Sequence, residues 1–283
     1  MVRIMETIQK TYSHSQLAKF TACRRSYWYE YVENILPIKR PRWSRIGTCG
    51  HRALAHYYRK KPFEEFRLLE GEFDIADESD ATDAVRLVGT LRAYVKLARE
   101  WDTGLKYDPL KDVETSIEGM LFDKKFKGIL DLLAKDNGKT TIIDHKITGN
   151  TERSIIADRK QICTYFHLVP AAEQFAVNVL ARPYRLRPRK AEELEHFEKR
   201  IIQELLEHPE NYFLRKVYYR GEFDIEAWKQ ETQIRIEELE GLPKEIGFFY
   251  PNERNCSIGE CEYQSICETG EVDWTKFKKR GPR

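Results

Sequence analysis

Gly128-Ile129-Leu130-Asp131, followed by Ile142-Ile143-Asp144-His145-Lys146, sets two carboxylates and a lysine at the ends of two apolar, strand-like runs. Acidic side chains hold hard divalent cations through oxygen. Side chains two apart on a strand share a face, so Lys146 points the way Asp144 does. Metal-assisted hydrolysis of a phosphodiester needs this equipment, a cation and an ammonium side by side. A lone Asp-x-Lys triplet is usually a solvated hairpin flank, but here apolar residues lead into both acids. Two acids at the end of a buried sheet are costly unless paired or metal-bound.

Those runs belong to a recognisable order of elements. Val113 to Leu121, Lys125 to Ala134 and Thr140 to Lys146 read as three strands, with Asp136-Asn137-Gly138 as the hairpin signal between the last two. Before them, Ser13 through Val32 reads as a helix opened by a Ser13…Gln16 capping pattern, Thr48 to Arg59 as a second entered from Gly47, and Asp83 to Trp101 as a third. After them come a helix from Asp158 to Leu168 stopped at Pro170 and an apolar strand from Gln174 to Leu180. Two charged amphipathic helices, Ala191 to Glu207 and Asp224 to Glu240, flank a strand-like Tyr212 to Tyr219. The fold class is α/β, expected as one nuclease domain: residues 1–60 supply N-terminal helices, 83–190 the catalytic core, and 191–283 a helical extension with the terminal cysteines.

Composition excludes some classes. With 283 residues, 41% hydrophobic and 12% aromatic, the chain can bury a sizeable core. A balance of 48 Lys+Arg against 46 Asp+Glu leaves a formal charge of only +2, so nucleic-acid affinity must come from local clusters. The opening Met1-Val2-Arg3-Ile4-Met5-Glu6 has no secretory pattern and no run is long enough to span a bilayer, so an intracellular, cytoplasmic protein without a membrane partner is expected. No phosphate-binding Gly-x-x-x-x-Gly-Lys-Ser/Thr loop occurs, so the chain carries no motor.

The succession Gly47-Thr48-Cys49-Gly50-His51, Gly128 to Asp131, Asp144-His145-Lys146 and Gln161-Ile162-Cys163-Thr164-Tyr165 resembles, in order and separation, the RecB-like nucleases of the PD-(D/E)XK superfamily. The opening Ser13-His14-Ser15-Gln16-Leu17, with Phe20 and Cys23, is similar to that family's N-terminal helix. The resemblance implies a restriction-endonuclease-like core, a central mixed sheet flanked by helices. It also implies a Mg²⁺- or Mn²⁺-dependent deoxyribonuclease whose metal is held by His51, Asp131, Asp144 and the backbone carbonyl of His145. Lys146 would orient and help deprotonate the attacking water, and Gln161 and Tyr165, four apart on one helical face, would position the substrate. Relatives of this size act in recombination, repair, phage or CRISPR-associated settings.

The cysteines extend the likeness. AddB-type and CRISPR spacer-acquisition nucleases hold a 4Fe-4S cluster with one N-terminal and three C-terminal cysteines, the layout of Cys23, Cys256, Cys261 and Cys267, although the gap between Cys256 and Cys261 is longer here than in those groups. Such a site would join the N- and C-terminal segments. From the residues alone, thiolates select zinc or iron–sulfur centres, and structural Zn²⁺ stays open as the alternative. Cys49 and Cys163 read as packing residues.

Arg182-Pro183-Tyr184-Arg185-Leu186-Arg187-Pro188-Arg189-Lys190 interleaves arginines with a tyrosine and suits phosphate contacts with base stacking. Arg24 and Arg25 are a second candidate track, and Lys276 to Arg280 reads as a mobile tail. Glu114 and Glu118, on the preceding strand, have the chemistry for a second metal but are left unassigned. The reading is a DNA exonuclease on single-stranded ends or flaps. A non-catalytic DNA-binding subunit and a sequence-specific endonuclease are the alternatives.

Overall fold

The computed structural model describes residues 10–61, 69, 71–149, 158–258 and 261–281, without the side chains of 255, 257 and 258. The opening Met1–Glu6 stretch and Gly259 lie outside the described residues. In chain order the elements begin with β1 (Thr11–Ser13), α1 (His14–Ala22), α2 (Arg24–Tyr27), β2 (Ile35–Pro37), α3 (Arg42–Tyr58) and α4 (Glu78–Trp101). The strands β3 (Leu105–Lys106), β4 (Val113–Leu121), β5 (Lys124–Asp136) and β6 (Lys139–Thr148) follow, then α5 (Arg159–Leu168) and β7 (Gln174–Ala181). The chain continues through α6 (Leu194–Glu207), β8 (Phe213–Tyr219), α7 (Ile225–Gly241), α8 (Glu253–Ile258), α9 (Gln264–Thr269) and β9 (Phe277–Lys279).

These elements gather into two compact units. Residues 42–117 and 129–223 form the first, and residues 1–41, 118–128 and 224–283 the second, so the division falls within β4 and β5. In the first unit the sheet is mixed: β5 runs antiparallel to β6, β6 parallel to β7, and β7 antiparallel to β8. Every residue of β7 is buried, as a central strand covered on both faces requires. The turn between β5 and β6 places Asn137 at φ 49° and Gly138 at φ 84°, a type I′ hairpin that only such residues adopt cheaply. It sets the register Asp136↔Lys139 through Leu132↔Ile143.

One face of this sheet lies under α3 and α4, where Ile46, Leu54, Leu87, Leu91, Leu132 and Ile143 share a buried core. Burying each such side chain stabilises by about 1.5–3 kcal/mol. Two glycines permit the close packing. A Cβ on Gly89 of α4 would meet Ile201 of α6 at 2.8 Å, and one on Gly50 of α3 would meet Ile147 of β6 at 2.2 Å. No helix among the described residues is long and apolar enough to cross a membrane.

In the second unit β1 runs parallel to the start of β5, Thr11↔Lys125, and β2 pairs antiparallel with β9. Two sequence expectations change here. The helix expected through Ser13–Val32 breaks at Cys23, whose φ of −160° and ψ of 112° are extended. Contacts with the C-terminal segment replace the missing helical bonds: Asn252 Nδ2 donates to Ala22 O at 2.9 Å and Arg25 N to Tyr250 O at 3.2 Å. The closing Lys276–Arg280 is no mobile tail, because Phe277–Lys279 is β9 and Arg280 N donates to Asn34 O at 2.7 Å. Helix starts also move outward. Asp77 caps α4 by accepting from Asp80 N, and α3 begins at Arg42, with Gly47 inside it.

Candidate active site

The β5–β6 pairing ends at Leu132↔Ile143, and Asp131 and Asp144 are the next residues beyond it on the two strands. Like charges so placed repel. Asp131 is held on two sides: His51 Nδ1 lies 3.2 Å from its Oδ1, and the His145 backbone N–H donates to its Oδ2 at 2.7 Å. Gly50 is the reason His51 arrives there, since the missing side chain lets α3 lie on Ile147.

Gln161, on the first turn of α5, clamps the other acid to the lysine. Its Nε2 donates to Asp144 Oδ1 at 3.0 Å, and its Oε1 accepts from Lys146 Nζ at 3.0 Å. Asp158 caps that helix by accepting from Lys160 N, which fixes where Gln161 falls. Tyr165, one turn on, donates its hydroxyl to Ile129 O at 2.9 Å, tying α5 to β5. Lys146 Nζ also lies 2.9 Å from Asp144 Oδ2, yet that oxygen is buried and accepts no aligned hydrogen bond among the described residues.

The protonation tendencies follow from this layout. Burial drives the Asp144 carboxyl above the ordinary carboxylate range; Lys146 opposes the rise and Asp131 adds to it. Burial pushes Asp131 up as well, but its hydrogen bond with His51 and the positive charge nearby outweigh this and hold it low. Burial lowers His51, and the partnership with Asp131 more than reverses that.

His145 itself turns away from the acids. Its ring stacks on Tyr58, centroids 5.3 Å apart, and Asn178 Nδ2 lies 3.4 Å from its Nδ1. Burial lowers its pKa to about 3, so the ring is neutral. Behind it runs a buried polar network. Tyr58 and Tyr94 hydroxyls meet at 3.0 Å, Tyr58 donates to Asp102 at 2.8 Å, and Arg215 bridges Asn178 Oδ1 at 2.7 Å to Asp102 Oδ1 at 2.6 Å. This network secures the strand whose His145 amide secures Asp131. Asn178, a polar residue inside the wholly buried β7, is explained by it.

Glu114 is one of the two acids, with Glu118, that the sequence left unassigned. His51, Glu114 and Asp131 each offer one ligand atom, all within 4.8 Å of one another. Glu114 adopts a left-handed φ of 52°, uncommon for a non-glycine residue and costing about 1–3 kcal/mol, with Arg59 Nη2 donating to the preceding Val113 O at 3.1 Å. Burial and the neighbouring Asp131 raise its carboxyl. Glu118 belongs to the other unit. A donor set of carboxylate oxygens and one imidazole, with the buried Asp144 carboxylate close enough to act on Asp131 and His51, fits a Mg²⁺- or Mn²⁺-sized cation.

The model of the PD-(D/E)XK nuclease superfamily matches residues 11–268. The chain belongs to the PD-(D/E)XK nuclease superfamily. Its mixed central sheet flanked by helices is consistent with a restriction-endonuclease-like core, and nucleases of this superfamily use divalent metals. Among solved structures, one described as "Crystal structure of SSO0001" aligns at 15% identity with a TM-score of 0.40, over 93% of this chain and 87% of that one. No curated protein sequence matches the chain.

The remaining expected site residues fall outside this cluster. Arg182 is largely buried, its Nη1 3.5 Å from Asp83, whereas Arg185, Arg187 and Arg189 are exposed. Arg24 pairs with Glu238, and Arg25 Nε donates to Phe249 O at 2.6 Å, so both hold their own unit together. Cys23, Cys256, Cys261 and Cys267 all lie in the unit built from the chain ends, and none is in a disulfide. Burial, then the neighbouring cysteines, raise Cys256; burial also leads the rise of Cys261 and Cys267. Cys49 and Cys163 are buried.

Proposed function

We propose that the protein is a Mg²⁺- or Mn²⁺-dependent deoxyribonuclease that hydrolyses phosphodiesters at single-stranded ends or flaps, more an exonuclease than an endonuclease. One observation carries the reading: Asp131 accepts from the backbone N–H of His145, the residue after Asp144, and Lys146 is tied to Asp144 through Gln161. His51, Glu114, Asp131 and Asp144, with the His145 carbonyl, would hold the cation. Bound there, it would offset the charge of the paired acids and of the phosphate and make a water more acidic.

The chain's own groups do the rest. Lys146 has three N–H donors. Gln161 takes one and Asp144 lies near a second, which leaves a donor for the attacking water or a phosphate oxygen. Gln161 fixes the ammonium's direction, and Tyr165 fixes Gln161's helix against β5. His51 and the His145 amide keep Asp131 ionised and oriented. Incubation of end-labelled linear DNA and closed circular DNA with the protein and Mn²⁺ tests the reading. Digestion of linear DNA alone supports an exonuclease, discrete fragments from the circle support an endonuclease, and no cleavage with either metal leaves a DNA-binding subunit.

The four cysteines would hold a 4Fe-4S cluster that clasps the chain ends. Their placement in one unit supports this, as do the Ala22–Asn252 and Arg25–Tyr250 bonds that bring Cys23 toward the tail. A tetrahedral zinc with Zn–S near 2.3 Å needs sulfurs about 3.8 Å apart. Four thiolates can close such a site as well, so structural Zn²⁺ is the alternative. Metal analysis of protein purified without air separates the two: iron with acid-labile sulfide supports the cluster, zinc alone rejects it.

A further inference from the structure

A cavity of about 520 Å³ opens in the catalytic unit where β6 and β7 end. That size suits a small organic ligand. Gly149, at its edge, follows Lys146 by three residues, roughly 10 Å at the rise of a strand. A short stretch of extended nucleotides spans such a distance. The lining has two chemically different walls. Arg182, Tyr184 and Arg185 form one; Glu204, Asn211 and Tyr212 form the other.

The basic wall is built rather than incidental. Arg182 is only 13% exposed, its Nη1 rests 3.5 Å from Asp83, and its Nε is buried with no hydrogen-bond partner among the described residues. The same Asp83 also takes Arg42 and, at 3.3 Å, Arg86. Two largely buried guanidiniums, Arg86 and Arg182, therefore share that one carboxylate, and the positive charge left over at the cavity's back favours an anion. Tyr184 is 46% exposed, with the Arg185 guanidinium over its ring at 5.7 Å. An exposed guanidinium can leave the ring for a phosphate and free the ring for a base.

The opposite wall repels phosphate but suits a base edge. Glu204 accepts from the Tyr212 hydroxyl at 2.9 Å, and its carboxylate and the Asn211 amide are acceptors and donors of the kind that exocyclic amines and ring carbonyls meet. A ligand with an anionic end, a flat aromatic face and a hydrogen-bonding rim matches all three features.

We propose that this cavity is a nucleotide subsite. It takes one unpaired nucleotide flanking the scissile phosphate, its phosphate on Arg182 and Arg185, its base against Tyr184 and its rim on Glu204 and Asn211. This deepens the nuclease reading and rests on it. A base already paired in a duplex cannot enter, so the subsite selects single-stranded ends.

Fluorescence anisotropy with the full chain in EDTA, where cleavage is stopped, tests this using a labelled single strand, a blunt duplex, and single strands carrying one abasic site at successive positions. Tyr184→Ala is expected to weaken single-strand binding by about five- to 150-fold, the range that loss of one base stack gives. Tyr184→Phe should keep wild-type affinity, and duplex binding should not change. At one position the abasic site should cost wild type the same factor and cost Tyr184→Ala nothing more. Penalties that multiply at every position, or equal weakening for duplex and single strand, overturn the proposal. The abasic series alters only the DNA and needs no variant to fold. Cleavage by wild type with Mn²⁺ is scored separately. A closed cycle without cleavage would sink the nuclease reading and leave the subsite, and cleavage with an open cycle would do the reverse.

Discussion

Gly50→Ala probes how α3 delivers His51. The added Cβ would sit 2.2 Å from Ile147 Cδ1 and 3.0 Å from its Cγ1, while Leu87 Cδ1, at 3.6 Å, is an ordinary contact. Overpacking of this kind costs about 1–3 kcal/mol. Ala is better than Gly inside a helix by about 1 kcal/mol, so the net loss of stability should be only about 0–2 kcal/mol. Activity should suffer more than stability. Relief of the clash lifts α3 from β6 or turns Ile147, and either moves His51 from its 3.2 Å contact with Asp131. A misplacement near 1 Å can cost about 100-fold in rate. Ile147→Val removes the Cδ1 that makes the worse contact, so the double variant should regain much of the lost rate while Ile147→Val alone changes little. Urea unfolding and initial cleavage rates on single-stranded DNA with Mn²⁺, measured for all four combinations, give the cycle. Full activity in Gly50→Ala, or a double variant no better than the single, would refute the account of how His51 is placed.

Four further outcomes are expected. Lys146→Ala and Asp144→Ala should abolish cleavage while anisotropy detects DNA binding close to wild type, because neither residue lines the basic cavity. Gln161→Ala frees both Asp144 and Lys146 and should lower kcat by about 10–100-fold with little change in KM, since general acid–base contributions are of that order and above. Glu114→Gln should weaken Mn²⁺ binding in calorimetry without unfolding the protein, and unchanged affinity would remove Glu114 from the ligand set. Asp102→Ala removes the carboxylate paired with Arg215 and one of the two partners of the Tyr58 hydroxyl, and should cost about 3 kcal/mol in urea unfolding, with a fall in activity that tracks His145 losing its support.

Much of the site was legible because the signals are local. The strands from Val113 to Lys146 and the helices ending at Leu168 and Glu207 lie close to where periodicity and caps placed them. Even the nearness of Asp131 and Asp144 is latent in the turn: with Asn137-Gly138 as a two-residue loop, pairing Asp136 with Lys139 runs to Leu132↔Ile143 and leaves both acids just beyond it. Glu114 could not be separated from Glu118, because both fall on the same side of an alternating strand, and only the left-handed φ at Glu114 breaks that alternation. The helix break at Cys23 was hidden because its cause, the bonds to Tyr250 and Asn252, lies more than two hundred residues away in the chain.

The sequence by itself determined the chemistry: acids, a lysine and a glutamine–tyrosine pair on elements whose period tells which side chains share a face. Tertiary structure alone decided which of those groups meet. A glycine at position 50 is a letter until Ile147 packs onto it, Asp83 is one acid among many until three arginines converge on it, and β9 is a basic tail until Ile35 pairs with Lys279. Local propensity spans a few residues, whereas the contacts that place His51, fill the Arg182 cavity and bring the cysteine-bearing chain ends into one unit are formed across long separations, where shape and charge decide.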